Sequence, residues 1–189
     1  AEEFLGDEKA EGAGRRVEAR RAGLAAGHFQ CLDRTGGRCL VVLAEVQAEP
    51  GLSAYVAADA AGQFLRSVLP RGLAEALAET VGLFPLRRGM ALECAGAGDA
   101  VSCWQYEPGS GWTRSPAPVA GQHLILHTLA EPEAVRDIVL YARVFADAEP
   151  ASLAADLVRL LAGRHEGLIA VVTLENGVGA GRLVSASEV

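Results

Sequence analysis

The stretch RCLVVLAEV, residues 38–46, decides the fold of this chain. Apolar residues fill it almost without interruption, which is typical of a strand that is buried on both faces of its sheet. The turn signal Gly36-Gly37 precedes it, and FQCL at residues 29–32 lies before that turn. The spacing therefore predicts an antiparallel hairpin whose second strand is residues 38–46.

Two helices are predicted directly after this strand. Apolar residues recur at helical spacing from Ser53 to Val68, and Pro70 ends that run because it cannot continue a helix. A second helical pattern covers residues 73–81, and Gly82 is suited to its C-terminal cap. The hairpin is thus followed by a pair of helices.

The rest of the chain is richer in strands. Strands are predicted at residues 90–96, 100–106, 111–115, 122–129, 137–145 and 168–175, with a last edge strand at 181–185. EPGSG at residues 107–111 predicts a hairpin turn because glycine supplies the backbone freedom that a tight turn needs. A helix is predicted over residues 149–163, where Pro150 lies near the start and Gly163 at the end.

The order of these elements predicts an α+β fold, a layered β-sandwich of mainly antiparallel strands flanked by helices. A doubly wound parallel sheet would need a helix after almost every strand, and the pattern does not provide one. Residues 1–22 carry many charges and no sustained apolar face. We therefore expect a flexible or helical extension there, outside the core, followed by one domain over residues 23–189.

Composition and charge exclude several classes of function. The chain has 189 residues, of which 50% are apolar, and a formal net charge of -7. Such an acidic chain is not expected to bind nucleic acid or anionic membranes non-specifically. No apolar run reaches the roughly 20 residues that span a bilayer, so membrane insertion is not expected. Four cysteines without C-x-x-C spacing indicate buried thiols in a reducing compartment, and we expect a cytoplasmic protein.

Common catalytic and metal-binding motifs are not found in the sequence. The glycine-rich pieces do not fit a phosphate-binding loop, and Ser110 is not part of a nucleophile elbow. His123 and His127 are four residues apart, but on the predicted strand that spacing separates them by about 13 Å. One zinc ion could not bridge that distance.

Carboxylates at strand ends could instead hold Mg²⁺ or Mn²⁺. The predicted strand ends read AEV at residues 44–46, ARV at 142–144 and HEG at 165–167. In these triplets the only carboxylates belong to Glu45 and Glu166. Arg143 would bring a positive charge to the same place.

These strands and helices resemble the protein phosphatase 2C family over roughly residues 38–175, and most closely its short bacterial members in stress-response and sporulation signalling. Residues 38–46 resemble a first signature that ends in Ala-Asp-Gly, where this chain has Ala44, Glu45 and Val46. Residues 91–112 resemble the family's Gly-Asp-Ser-Arg strand pair. Gly98 and Asp99 match that motif.

Two further stretches carry the resemblance. Residues 137–147 resemble a strand that runs into Thr-Asp-Gly, with Arg143 and Val144 in place of Asp-Gly. Residues 153–175 resemble a helix, an Asp-Asn pair and a last core strand. Glu166 and Gly167 stand where Asp-Asn would be.

The resemblance implies a site in which aspartates of the first, third and last signatures hold two metal ions, whose bridging water attacks phosphoserine or phosphothreonine. This chain has Glu45, Arg143 and Glu166 at those positions. Glutamate shifts the carboxylate by about 1.5 Å, one C–C bond length, and arginine repels a metal ion. Val46 also replaces the glycine whose backbone carbonyl serves as a ligand in the family.

We therefore expect a catalytically inactive phosphatase-like module, a pseudophosphatase, which binds a protein partner in a regulatory role. No catalytic residue, metal ligand or cofactor is expected. One alternative is a divergent metal-dependent phosphoserine or phosphothreonine phosphatase that uses Glu45, Glu166 and Asp147. The other is a non-enzymatic α+β scaffold or assembly subunit unrelated to the phosphatases.

Overall fold

The computed structural model describes residues 8–12, 15–35, 38–95 and 100–174. Within these ranges the chain forms ten strands and four α-helices. In chain order they are β1 (Glu8–Gly12), β2 (Arg15–Ala22), β3 (His28–Thr35), β4 (Arg38–Val46), α1 (Ala54–Val68), α2 (Leu73–Leu83), β5 (Leu86–Ala95), β6 (Ala100–Glu107), β7 (Gly111–Arg114), β8 (Val119–Ala120), β9 (His123–His127), α3 (Pro132–Val144), α4 (Pro150–Leu161) and β10 (Gly167–Leu174).

The strands form two antiparallel sheets. Sheet A has the order β1-β2-β10-β9-β8, and sheet B has the order β3-β4-β5-β6-β7. Helices α1 and α2 cover the outer surface of sheet B, and α4 packs on strands β2 and β10 of sheet A with α3 beside it. The predicted α+β sandwich with helices on both sides is confirmed.

Strand β4 joins two apolar layers, which explains its nearly continuous apolar sequence. Val41 and Leu43 face sheet A in the layer between the two sheets. Leu40 and Val42 point the other way, toward α1 and α2. All four side chains are fully buried. Burial of a leucine or valine side chain contributes roughly 1.5–3 kcal/mol, so this strand is a main source of stability.

Residues 15–22 are not an extension outside the core. They form β2, which pairs with β10 along its whole length, and β1 adds a further strand at the edge. Val17 and Ala19 are buried between the sheets. The prediction was wrong because these inward positions hold small or single apolar residues among arginines, which gave too weak an alternating pattern. The sandwich therefore begins before residue 23.

The prediction of a strand at residues 137–145 is also wrong. This segment belongs to helix α3, whose buried residues Ala134, Ile138 and Ala142 recur every fourth position. Many apolar residues in the segment are β-branched, which favours a strand on propensity alone. Two apolar residues of the segment point to solvent instead: Leu140 is 52% exposed and Val144 is 75% exposed.

Other predicted elements agree with the structure. The hairpin at residues 107–111 forms, and both Gly109 and Gly111 adopt positive φ angles there. Gly82 lies inside α2 rather than after it, since the helix continues to Leu83. The predicted edge strand at residues 181–185 lies outside the described residues.

Candidate functional site

Polar side chains close one end of the apolar layer between the two sheets. Alternation along each strand directs Arg21, His28, Glu45, Arg88 and Thr128 toward this layer, in line with its buried apolar residues. We call these five side chains the polar layer and this end of the sandwich the polar end. They come from β2, β3, β4, β5 and the residue after β9.

Glu45 is the acidic member of the polar layer, and arginines surround it. Its Oε2 lies 2.7 Å from Nε of Arg88, which is its cross-strand neighbour. Oε1 lies 3.6 Å from Nη1 of Arg87. The Arg88 contact is a close ion pair without the alignment of a hydrogen bond. Because the Glu45 side chain is only 15% exposed, the two guanidinium groups largely replace water as its partners.

His28 connects the two sheets. Its Nδ1 lies 2.7 Å from the hydroxyl oxygen of Thr128, and the N–H of Leu168 donates to the same oxygen at 2.8 Å. The opposite ring nitrogen, Nε2, lies 4.0 Å from Glu45. Burial, together with smaller contributions from the charges of Arg21 and Arg88, lowers the pKa of His28 to about 4. The imidazole is therefore neutral at pH 7.

His127 lies at the same end and is also neutral at pH 7. Burial lowers its pKa to about 4, with a smaller contribution from the positive charge of Arg88. The backbone N–H of Leu129 donates to its Nδ1 at 3.3 Å, which places the ring hydrogen on Nε2. Both histidines thus experience a positive electrostatic environment.

The Arg21 side chain lies at the polar end of the apolar layer and binds the loop after β2. Its Nη1 donates to the backbone carbonyls of Leu24 at 2.9 Å and Ala25 at 3.2 Å. Its Nε is buried and has no hydrogen-bond partner within the part of the chain that the structure describes. Burial lowers the pKa of this guanidinium, with Tyr55 opposing that shift. An arginine remains charged under these conditions, so the polar end keeps this positive charge.

The structure brings only some of the predicted site residues together. Glu45 is in the polar layer, and the backbone N–H of buried Val46 donates to Gly27. Glu166 precedes β10 at the same end, but it is exposed and lies over Gly23. Gly167 pairs with Ala22 in sheet A. Gly98 and Asp99 lie outside the described residues.

Arg143 and Val144 are not at this site. They occupy the last turn of α3, where Nε of Arg143 donates to the carbonyl of Val119 at 3.4 Å. Val119 pairs with Leu124 near the start of β9, about 10 Å along the strand from its polar end. The interpretation of Arg143 as the third metal position is therefore wrong, because it depended on a strand at residues 137–145.

The third strand end at the site is that of β9. The chain continues from it through Thr128, Leu129 and Ala130, which supply no carboxylate. Asp147, which the alternative phosphatase hypothesis uses, lies near His123 at the start of β9. The site therefore gains no second buried carboxylate from either segment.

Arg21, Arg88, His28 and Thr128 were missed by the sequence analysis. The sequence signal was an alternating pattern in which an arginine takes the next inward position after two apolar residues, as in Val17, Ala19 and Arg21. Recognising it requires knowing that β2 exists and which strands meet at this end.

The described residues contain no group of three or more His, Cys, Asp or Glu side chains placed to hold a metal ion. His123 and His127 lie at opposite ends of β9, and His123 contacts Thr173 instead, in agreement with the strand prediction. The described helices include none that is long and apolar enough to cross a membrane.

Comparison with known proteins shows a similar fold without sequence similarity. No protein-family model and no curated protein matches the chain. The structure of RsbX in complex with magnesium is similar with a TM-score of 0.62 and 10% identity, over 89% of this chain and 99% of RsbX. The RsbU and RsbW domains of a Mycobacterium tuberculosis protein give a TM-score of 0.61 at 12% identity, over 85% of this chain and 60% of theirs.

A third similar structure carries the description "The bacterial stressosome: a modular system that has been adapted to control secondary messenger signaling". It has a TM-score of 0.56 and 11% identity, with 84% of this chain and 97% of that chain covered. RsbX is a phosphatase of the 2C type. The chain therefore has the protein phosphatase 2C-like fold that the sequence resemblance implied.

Proposed function

We propose that this chain is a catalytically inactive, phosphatase 2C-like module that binds a protein partner and regulates it. The observation that carries the proposal is the set of charged groups around Glu45. It is the sole carboxylate of the polar layer, and Arg88 and Arg87 occupy the positions around it where a metal ion would have to bind.

The polar layer does not fit the metal ion of a similar phosphatase. Mg²⁺ prefers octahedral coordination by oxygen ligands, usually with one or two carboxylates and several waters. Here the buried carboxylate is already neutralised at 2.7 Å by Arg88. A guanidinium about 5 Å from a divalent ion would repel it by roughly 7 kcal/mol at an effective dielectric constant near 20. RsbX, by contrast, is described in complex with magnesium.

The neutral histidines do not change this balance. A neutral imidazole beside a carboxylate can bind Zn²⁺ or Mn²⁺ when further ligands complete the site. His28 and Glu45 provide two such groups, but Thr128 engages one nitrogen of His28, and no third ligand joins them among the described residues. Without bound metal ions, no activated water is available for attack on a phosphate ester.

A role in protein binding is supported by one of the structures with a similar fold. One similar chain comes from a structure described as the bacterial stressosome, a modular system. A fold that has lost its metal ligands keeps its surfaces, and those surfaces can still recognise a protein. Regulation of that partner is the role we infer.

The test is a phosphatase assay. Purified protein would be incubated with Mn²⁺ or Mg²⁺ and p-nitrophenyl phosphate, and in parallel with a phosphoserine peptide, while product release is measured. We expect release at the rate of the metal-containing buffer alone, and the same rate for Glu45→Ala. Metal-dependent turnover that Glu45→Ala abolishes would refute the proposal and favour a divergent phosphatase.

A further inference from the structure

Exposed apolar side chains surround the polar end. Most of the large apolar residues that are exposed in the described chain lie here, although charged residues would be the usual choice at a surface. We call this set the apolar rim. It consists of Leu24 (70% exposed), Leu52 (49%), Tyr55 (47%), Val56 (57%) and Leu83 (62%).

Contacts with Arg21 place two rim residues beside the polar layer, and chain position places the other three at the same end of the sandwich. The carbonyl of Leu24 accepts a hydrogen bond from Arg21, and the Tyr55 hydroxyl interacts electrostatically with the same arginine. Val56 follows Tyr55 in the first turn of α1. Leu52 belongs to the loop after β4, and Leu83 ends α2 just before β5. The rim therefore comes from four separate segments that meet at one end of the sandwich.

The centre of this surface is positively charged. Arg87 and Arg88 contact the Glu45 carboxylate, and Arg21 lies at the same end, so these four side chains carry two positive charges in excess. Glu49 and Glu166 are exposed at its margin. Glu131, also at this end, lies 3.3 Å from Nδ1 of His165. The whole chain has a net charge of -7, so this positive centre contrasts with the rest of the molecule.

Arg87 is the residue most available to a partner. Its side chain is 56% exposed, and its contact with Glu45 is long at 3.6 Å. An exposed guanidinium beside exposed leucine and tyrosine offers charge-assisted hydrogen bonds next to apolar contact area. Interface cores are enriched in arginine and tyrosine for this reason.

From this juxtaposition we propose that the polar end is a docking surface for an acidic, amphipathic segment of a partner protein. Carboxylates of that segment would bind Arg87 and the positive centre, while its apolar side chains cover the rim. This inference rests on the proposed function, since a catalytic metal at Glu45 would place different chemistry at the same end. The excess positive charge at the polar end favours an acidic segment as the occupant.

The test uses fluorescence anisotropy with the full chain and a labelled peptide of glutamate and leucine in equal parts. We expect saturable binding that is lost when glutamine replaces glutamate and also when serine replaces leucine. Arg87→Glu and Tyr55→Ser should each weaken binding about tenfold or more. Both residues are exposed, so these variants should remain folded.

Two matched controls lie at the end of α3 and just after it, away from the polar end. Arg143→Glu reverses an exposed charge in the last turn of α3, beside Val119, and Phe145→Ser removes the exposed aromatic ring of the residue that follows the helix. Neither should alter the affinity by more than about twofold. Unchanged affinity in Arg87→Glu, equal binding of the glutamine peptide, or no binding at millimolar peptide would each overturn the proposal.

Other occupants give different results. A second copy of the chain would appear in sedimentation as a dimer that Arg87→Glu dissociates. The chain's own acidic residues 1–7 would appear as binding that emerges only after Glu2, Glu3 and Asp7 are changed to serine. Tighter binding of an RNA oligonucleotide or an anionic vesicle would indicate a polyanion instead. Each of these results overturns docking of a partner segment.

Failure of this inference is separable from failure of the proposed function. Absent peptide binding with p-nitrophenol release at background would refute the docking surface alone. Metal-dependent release that requires Glu45 would refute the inactive-module proposal, whatever the peptide result.

Discussion

The two ends of the apolar layer differ in the inward side chains that β4 and β5 place there. At the polar end, the inward row of β4 closes with Glu45 and that of β5 begins with Arg88. At the opposite end the same two rows terminate in Cys39 and Cys94, which face each other across the strands, with Cys103 nearby on β6. We call this the thiol end.

This difference shows that β4 and β5 do not need charged side chains at both ends of their inward rows. At the thiol end they place small, weakly polar thiols at the positions that correspond to Glu45 and Arg88 at the polar end. The charges at the other end therefore need a further explanation. A buried ion pair often contributes little net stability compared with apolar residues of the same volume, whereas a surface that binds an acidic segment requires positive charge.

The largest effect should come from breaking the ion pair of the polar end. Arg88→Leu leaves the mostly buried Glu45 carboxylate with only the longer contact to the exposed Arg87, and we expect a loss of about 3 kcal/mol in the free energy of unfolding. The double variant Glu45→Leu with Arg88→Leu makes this end apolar, like the thiol end. It should recover to within about 1 kcal/mol of the wild type. Urea denaturation measures both.

A double variant less stable than Arg88→Leu would show that the charges are a structural requirement. In that case the comparison between the two ends would no longer support a binding role.

The histidines at the polar end should make stability depend on pH. Burial lowers the pKa of His28 from 6.5 to about 4, so the unfolded state binds a proton that the folded state does not. This contribution is complete above pH 6.5 and is lost as the pH falls toward 4. Between pH 7.5 and 5 the loss is about 2 kcal/mol for this group.

Replacing His28 by glutamine, which can still bond to Thr128, should make the urea midpoint fall less steeply over that interval. The same reasoning applies to His127, whose pKa burial also lowers to about 4. An equal slope in wild type and His28→Gln would contradict a buried neutral imidazole.

Changes at the thiol end should be smaller. Burial raises the pKa of Cys103 to about 12, so almost no thiolate is present at pH 8. We expect Cys103→Ala to cost about 1 kcal/mol, the value of a small cavity. Native protein should also show no alkylation of this thiol by iodoacetamide, measured by mass spectrometry of the digested chain. Rapid alkylation would place Cys103 at an open surface.

The smallest effect is expected for an ion pair at the surface. Arg71 contacts both carboxylate oxygens of Glu79, at 2.8 and 3.0 Å, but its side chain is 59% exposed. Arg71→Ala should change the unfolding free energy by at most about 0.5 kcal/mol. A loss as large as that of Arg88→Leu would mean that burial does not distinguish the two pairs.

Sequence analysis predicted the fold where pattern and burial agree. Residues 38–46 are apolar because both faces of β4 are covered, and the helices at 54–68 and 150–161 carry regular apolar stripes. It failed at α3, where exposed Leu140 and Val144 mimic a buried strand. Because residues 137–145 were predicted to form a strand, they were aligned with a strand of the family, and Arg143 was therefore assigned to the site.

The site could be predicted only in part. Glu45 was identified because it interrupts an apolar strand at its end. Its partner Arg88 lies 43 positions later, and only the pairing of β4 with β5 brings the two together. The local sequence around either residue contains no sign of that contact. Arg21 was missed for a similar reason, since β2 itself was not recognised.

Isothermal titration calorimetry with Mn²⁺ tests the central claim most directly, because the claim concerns which charge the polar end accepts. Wild type and Glu45→Ala would be titrated at pH 7.5 in low salt. The account predicts no binding tighter than about 1 mM in either protein, since arginines already neutralise the single buried carboxylate. A dissociation constant below about 1 mM for the wild type, together with a loss of binding in Glu45→Ala, would contradict the account.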